Sequence, residues 1–116
     1  MSKTRPATAA GLRRERRKLL KELSGLSLLI RGSFFERFST CARPNCACHK
    51  GKRHGPRAYL SVTRDQAQRQ HYVPQRQIDA VRRGVRQHQR LLQIVERITA
   101  INLQLMREGA LHERHT

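Results

Sequence analysis

Apolar residues recur along this chain with two different periods, and the change of period divides it. Leu12, Leu19, Leu23, Leu26 and Ile30 step by seven, four, three and four, the stripe of an amphipathic helix. Arg13, Arg14, Arg16, Arg17, Lys18 and Lys21 fill its other faces. The spacing predicts a helix over 11–31 that Gly32 stops, and Ser24 and Gly25 weaken its middle enough for an earlier break. Residues 33–39 then read Ser-Phe-Phe-Glu-Arg-Phe-Ser, a strand by aromatic content, although Glu36 shares parity with Phe34 and Phe38. Arg57–Thr63 is a better strand, 64–68 a polar turn, and Gln70–Val73 a short third strand closed by Pro74. From 75 to about 113 the helical period returns. Ile78, Val81, Val85, His88, Leu92 and Val95 form one stripe, widened by Leu91, Ile94, Ile98, Ile101, Leu105 and Met106.

These elements predict an α+β fold. A long helical hairpin of N- and C-terminal helices carries a small three-stranded antiparallel meander at its connected end. The expected organisation is a disordered basic arm (1–10), the first helix (11–31), the meander with an inserted cysteine loop (32–74), the long helix (75–113) and a tail (114–116). At about 1.5 Å per residue the second helix is about 55 Å long and outruns the first. Its stripe at Ile98, Ile101 and Leu105 therefore needs a partner, which points to a homodimer or a helical host protein. Gly84 is expected as a tolerated cost of about 1 kcal/mol, and Gly109 as a point of fraying.

Charge changes the picture of what the scaffold meets. Its 116 residues carry 25 Lys and Arg against 8 Asp and Glu, a net charge of +17. The surplus is spread along the chain, and no acidic segment offsets it. Such a field concerns partners rather than fold, and nucleic acid is the default polyanion. No apolar run approaches the roughly 20 residues of a membrane span, and the first ten residues do not read as a signal peptide. The expected compartment is the cytoplasm, with nucleoid association, and no membrane or small-molecule partner is expected.

Every cysteine falls in one loop. Cys41, Cys46, Cys48 and His54 read C-x4-C-x-C-x5-H. Three thiolates and an imidazole are the donor set of a closed, tetrahedral, structural Zn2+ site. Pro44-Asn45 is turn chemistry that brings Cys41 and Cys46 to one ion, and the glycine-flanked tract 50–56 folds back to deliver His54. His49 is the alternative fourth ligand, disfavoured because it adjoins Cys48. Neighbouring Arg and Lys favour the thiolate. Three cysteines do not make a disulfide framework. The deaminase pattern H-x-E with P-C-x-x-C is missing, as are H-E-x-x-H, G-x-S-x-G and a phosphate loop, so no catalytic residue is assigned.

Arg76, Arg83, Arg90 and Arg97 recur every seven residues, with Arg82 and Arg86 beside them. On a helix they form a slowly rotating row at about 10 Å per step, suited to a phosphate backbone. Only Asp79 and Glu96 interrupt it. With Lys50, Lys52, Arg53 and Arg57 around the cysteine loop, these are the expected nucleic-acid contacts. The five aromatics, Phe34, Phe35, Phe38, Tyr59 and Tyr72, all fall in the sheet. They are expected to form its core, although one or two can stack on unpaired bases.

Arg31-Gly32-Ser33, the cysteine string ending in His54-Gly55-Pro56, Tyr59-Leu60-Ser61 and Tyr72-Val73-Pro74 before a long helix together resemble a family of short bacterial and archaeal proteins of unknown function. That family is loosely associated with transposon neighbourhoods. The resemblance spans about 28–106 and implies Cys41, Cys46, Cys48 and His54 as the matching set. It departs at Ala42, where the family has glycine, and at Arg57, where an aromatic is common. It implies no settled activity. The expected function is a non-enzymatic, zinc-stabilised nucleic-acid-binding accessory protein, with a helical interaction module as the alternative.

Overall fold

In the computed structural model, residues 8–39, 46–51 and 54–112 are described. They form helix α1 (Ala9–Ser24), strand β1 (Ser33–Ser39), a 3-10 turn (Ala47–Lys50), strands β2 (His54–Arg64) and β3 (Ala67–Val73), a second 3-10 turn (Gln75–Gln77) and helix α2 (Ile78–Arg107). The fold is α+β, with two helices and one antiparallel sheet of order β1-β2-β3. Chain contacts divide it into a helix-pair unit (residues 1–27 and 89–116) and a sheet unit (28–88). Helix α2 contributes to both.

The helix-pair unit holds the main buried apolar cluster. Leu12, Ile101 and Leu105 are buried together, and Ala9, Leu19, Ala110 and Leu111 pack against them. The largest fully buried side chains are Ile94, Ile101 and Leu105. The two helices run antiparallel, because Glu15 meets Arg97 and Glu22 meets Arg90. Ile101 and Leu105 are thus covered by α1 rather than left bare for a partner, as the stripe suggested. The sequence placed the start of α1 at Gly11. Thr8 instead caps it, with its Oγ1 accepting from Gly11 N–H at 3.0 Å, so that the helix begins two residues earlier, at Ala9, which packs against the Leu12 cluster. No helix among the described residues is long and apolar enough to cross a membrane.

Two helix ends differ from expectation for local reasons. α1 stops at Ser24, the earlier break that Ser24 and Gly25 allowed, rather than at 31: the Ser24 hydroxyl donates to Lys21 O at 2.6 Å, and Gly25 N–H donates to Glu22 O at 3.0 Å. α2 ends at Arg107 rather than near 113, and Gly109 terminates it instead of marking a frayed stretch. Gly109 has φ +66, its N–H bonds Met106 O, and Ala110 N–H bonds Leu105 O at 2.8 Å. That pair of bonds is a Schellman cap, with Ala110 packed back on the Leu105 cluster.

In the sheet unit β2 is central. It pairs β1 from Ser33↔Ser61 to Arg37↔Arg57 and β3 from Ala58↔Val73 to Arg64↔Ala67. The β2–β3 turn is only Asp65-Gln66, with φ of 51° and 65°, the left-handed pair of a type I′ hairpin. The strands are therefore longer than the five-residue polar turn predicted. Buried residues here are small, Ala58 and Val73. Gly84 is more than a tolerated weakness: Ile30 N–H donates to its carbonyl at 3.1 Å, and a Cβ there would collide with Leu28 O and lie 2.7 Å from Ile30 Cδ1. Only glycine lets residues 28–30 cross α2 that closely.

Candidate metal loop and nucleic-acid surfaces

The cysteine loop is held by its base. Beyond Arg37↔Arg57 the register shifts, and Ser39 stands opposite His54. The chain thus enters and leaves the loop side by side, with Cys41 two residues past Ser39. Within the loop, half-buried Cys46 precedes the 3-10 turn that holds Cys48 and His49. Gly51 (φ +101) closes that turn, donating its N–H to Ala47 O. Cys41, Lys52 and Arg53 lie outside the described residues, as do the side chains of Cys48, His49 and His54. Lys50, on the turn, is exposed. Among the described residues no three metal-ligating side chains gather.

The arginine row does not form one continuous face. Arg76 sits in the 3-10 turn after Pro74, before α2 begins. Arg90 donates to both Glu22 carboxylate oxygens at 2.5 and 2.9 Å. Arg97 does the same to Glu15 at 2.5 and 2.8 Å. These bidentate forks bind α1 to α2 and correct the expectation that the row lacks internal neutralisation: the missing acids come from α1. The forks hold both glutamate carboxyls below, and both guanidinium groups above, their usual ranges, chiefly through the hydrogen bonds. Arg83 and Arg86 are exposed and have no acidic partner among the described residues.

The sheet carries what the sequence reading undervalued. One face holds Phe34, Glu36, Ala58, Leu60, Val62 and Val73. Arg82 of α2 reaches this face, bonded to Glu36 at 2.9 Å and with its guanidinium 4.6 Å from the Phe34 ring centroid. The opposite face holds Phe35, Tyr59 and Tyr72, one ring per strand. Phe35 stacks on Tyr59 at 5.6 Å and 21°, and Tyr72 meets Tyr59 edge-on at 6.0 Å. The rings are not a core, since Tyr72 is 60% exposed and Phe35 and Tyr59 are half-buried.

Arg37 lies over Tyr59, 4.7 Å from its centroid, and bonds Gln70 Oε1 at 2.8 Å. Arg57 is its direct register partner and is exposed. Two like charges opposite each other destabilise a sheet, and no carboxylate occurs among the described residues of this face. Sequence reasoning named Arg57 but missed Arg37. The available signal was parity: Arg37 follows Phe35, and Tyr59 follows Arg57, at the two-residue step that shares a sheet face.

A family model described as a domain of unknown function, DUF6788, matches residues 9–83, which include α1, the whole sheet and the first turns of α2. No curated protein and no solved structure matches the chain.

Proposed function

The chain belongs to the DUF6788 family, whose function is unknown, and from that premise we propose that it is a non-enzymatic, zinc-stabilised nucleic-acid-binding accessory protein acting in the cytoplasm. The observation that carries the proposal is the distribution of unanswered charge. Of +17 overall, the arginines of the helix pair are partly neutralised by Glu15 and Glu22. Arg37 and Arg57 instead face each other across a sheet surface whose described residues include no acid. A phosphate on this face would answer their charge with charge-assisted hydrogen bonds.

Cys41, Cys46, Cys48 and His54 would hold the zinc. What supports this is the donor chemistry and the backbone that frames the loop: paired ends at Ser39 and His54, and a left-handed Gly51 that turns the chain back. The small buried residues of the sheet unit leave room for such a constraint to matter. The loose transposon association implied by the resemblance makes a mobile-element or other DNA-handling system the expected setting.

The test is a salt-series titration of natively purified protein with duplex and single-stranded DNA and RNA. Affinity should fall steeply with salt, each duplex phosphate neutralised contributing about 0.9 to the log–log slope. Absence of binding to all of them at about 50 mM salt ends the proposal.

A second reading, a helical interaction module, has its own observation. Leu92, Val95, Leu103 and Met106 are exposed along α2 at 53, 47, 44 and 56%. Thr99, between them in the stripe, folds its hydroxyl back onto Val95 O at 2.8 Å. That heptad-like stripe suits a second copy or a host helix, and sedimentation equilibrium of the purified chain separates monomer from dimer.

A further inference from the structure

We infer that the Phe35–Tyr59–Tyr72 face of the sheet is a stacking platform for unpaired bases, so that the preferred ligand is a single-stranded nucleic acid. The inference rests on the nucleic-acid reading above and adds the strand state and the surface that selects it.

The placement of the rings carries it. One ring rises from each of three adjacent strands, all on the side of the sheet away from Ala58 and Val73. Cross-strand aromatic pairing by itself is served by Phe35 on Tyr59 at 5.6 Å. Tyr72 adds only an edge contact at 6.0 Å and leaves 60% of itself in solvent. An exposed ring beside a guanidinium already held over its neighbour, with Arg37 4.7 Å from the Tyr59 centroid, offers π surface and charge together. Unpaired bases on a phosphate backbone need that combination, whereas bases inside a duplex keep their π faces occupied. Arg37 and Arg57 would take the phosphates. The amide of Gln70, two residues from Tyr72 on the same face and accepting from Arg37 through its oxygen, keeps its N–H donors for a base edge without fixing a sequence.

The chain provides its own reporter. It has no tryptophan and two tyrosines, both on this face, so intrinsic tyrosine emission reads the platform and nothing else. Three 15-residue ligands are titrated at one salt concentration: oligothymidylate, oligouridylate and an abasic deoxyribose-phosphate oligomer. A duplex of equal length is the fourth. Both base-bearing single strands should quench tyrosine saturably and bind more tightly than the abasic strand, and their ratio tells DNA from RNA preference. Tyr72→Ala should weaken the base-bearing strands about tenfold and leave the abasic strand within twofold, while Tyr72→Phe keeps wild-type affinity. Thermal melting of each variant shows that the sheet is intact.

Bound oligothymidylate that leaves tyrosine emission unchanged overturns the platform, as does a folded Tyr72→Ala protein with undiminished affinity. In either case binding of the duplex and abasic strands still upholds the broader nucleic-acid reading. Failure of all four ligands to bind overturns both.

Discussion

The helix-pair unit and the sheet unit solve the same problem, a small basic chain that must fold, in opposite ways. The helix pair buries Ile94, Ile101 and Leu105 almost completely and bonds Arg90 and Arg97 to its own glutamates. Among its described residues the sheet unit buries only Ala58, Val73 and Gly84, leaves its aromatic rings half-buried or exposed, and places Arg37 and Arg57 in register on one face. Apolar burial is therefore concentrated in the first, and exposed ring and arginine surface in the second. A sheet this poor in buried apolar area gains most from a further constraint, and the zinc proposed for the loop between β1 and β2 would supply one.

The largest way to break this comparison is to remove the zinc proposed for the cysteine loop. Structural zinc contributes about 10–16 kcal/mol in small fingers, as much as the whole stability of a typical domain. A strong chelator, or Cys46→Ser, should abolish the near-UV circular dichroism of the sheet unit, since all five Phe and Tyr lie in residues 28–88. Most far-UV helical signal should survive. Equal loss of both signals would mean that the two regions do not differ as argued.

Core substitutions come next. Leu105→Ala should cost the helix pair about 2–4 kcal/mol by leaving a cavity. Gly84→Ala should cost the sheet unit about 1–3 kcal/mol by forcing residues 28–30 off α2. Denaturant melts followed by far- and near-UV signals assign each loss to its unit.

Charge substitutions sharpen the functional half. Arg37→Gln with Arg57→Gln should lower the log–log salt slope for single strands by about 1.4, two contacts at about 0.7 each. Arg90→Gln with Arg97→Gln should change it by much less, because those guanidinium groups already hold carboxylates.

The smallest expected effect is in the pH dependence. Glu15 and Glu22 have depressed carboxyl pKa values, first through hydrogen bonds from Arg97 and Arg90. Folding therefore lowers their proton affinity. Their contribution is present above the ordinary glutamate range, about 4.3, and disappears as pH falls through it and below. Both pairs are largely exposed, so the effect is modest. Melting temperatures measured from pH 6 to pH 3 should drop less in Glu15→Gln/Glu22→Gln than in the wild type.

The element types were legible because period alone encodes them: the Leu12–Leu23 stripe, the Arg57–Thr63 strand and the long α2 pattern all appear where the spacing put them. Helix ends were only partly legible: Ser24 and Gly25 marked the break in α1, whereas the start at Thr8 and the stop at Gly109 turn on single hydrogen bonds. The role of Gly84 was hidden because its reason lies more than fifty residues away, at Leu28 and Ile30. Arg90 and Arg97 were misjudged for a similar reason. Their partners lie on the other helix, and a heptad count along α2 sees only Asp79 and Glu96. The aromatic face was missed because five aromatics in a short sheet read as core until the register sorts them by side.

The most direct measurement is an NMR titration of the 15N-labelled, zinc-loaded protein with oligothymidylate, following backbone amides and arginine Nε–H groups. The account predicts the largest shifts at Arg37, Arg57, Tyr59, Gln70 and Tyr72, with the Arg90 and Arg97 Nε–H signals nearly unmoved. Shifts concentrated on the helix-pair arginines, with the sheet face silent, would contradict it.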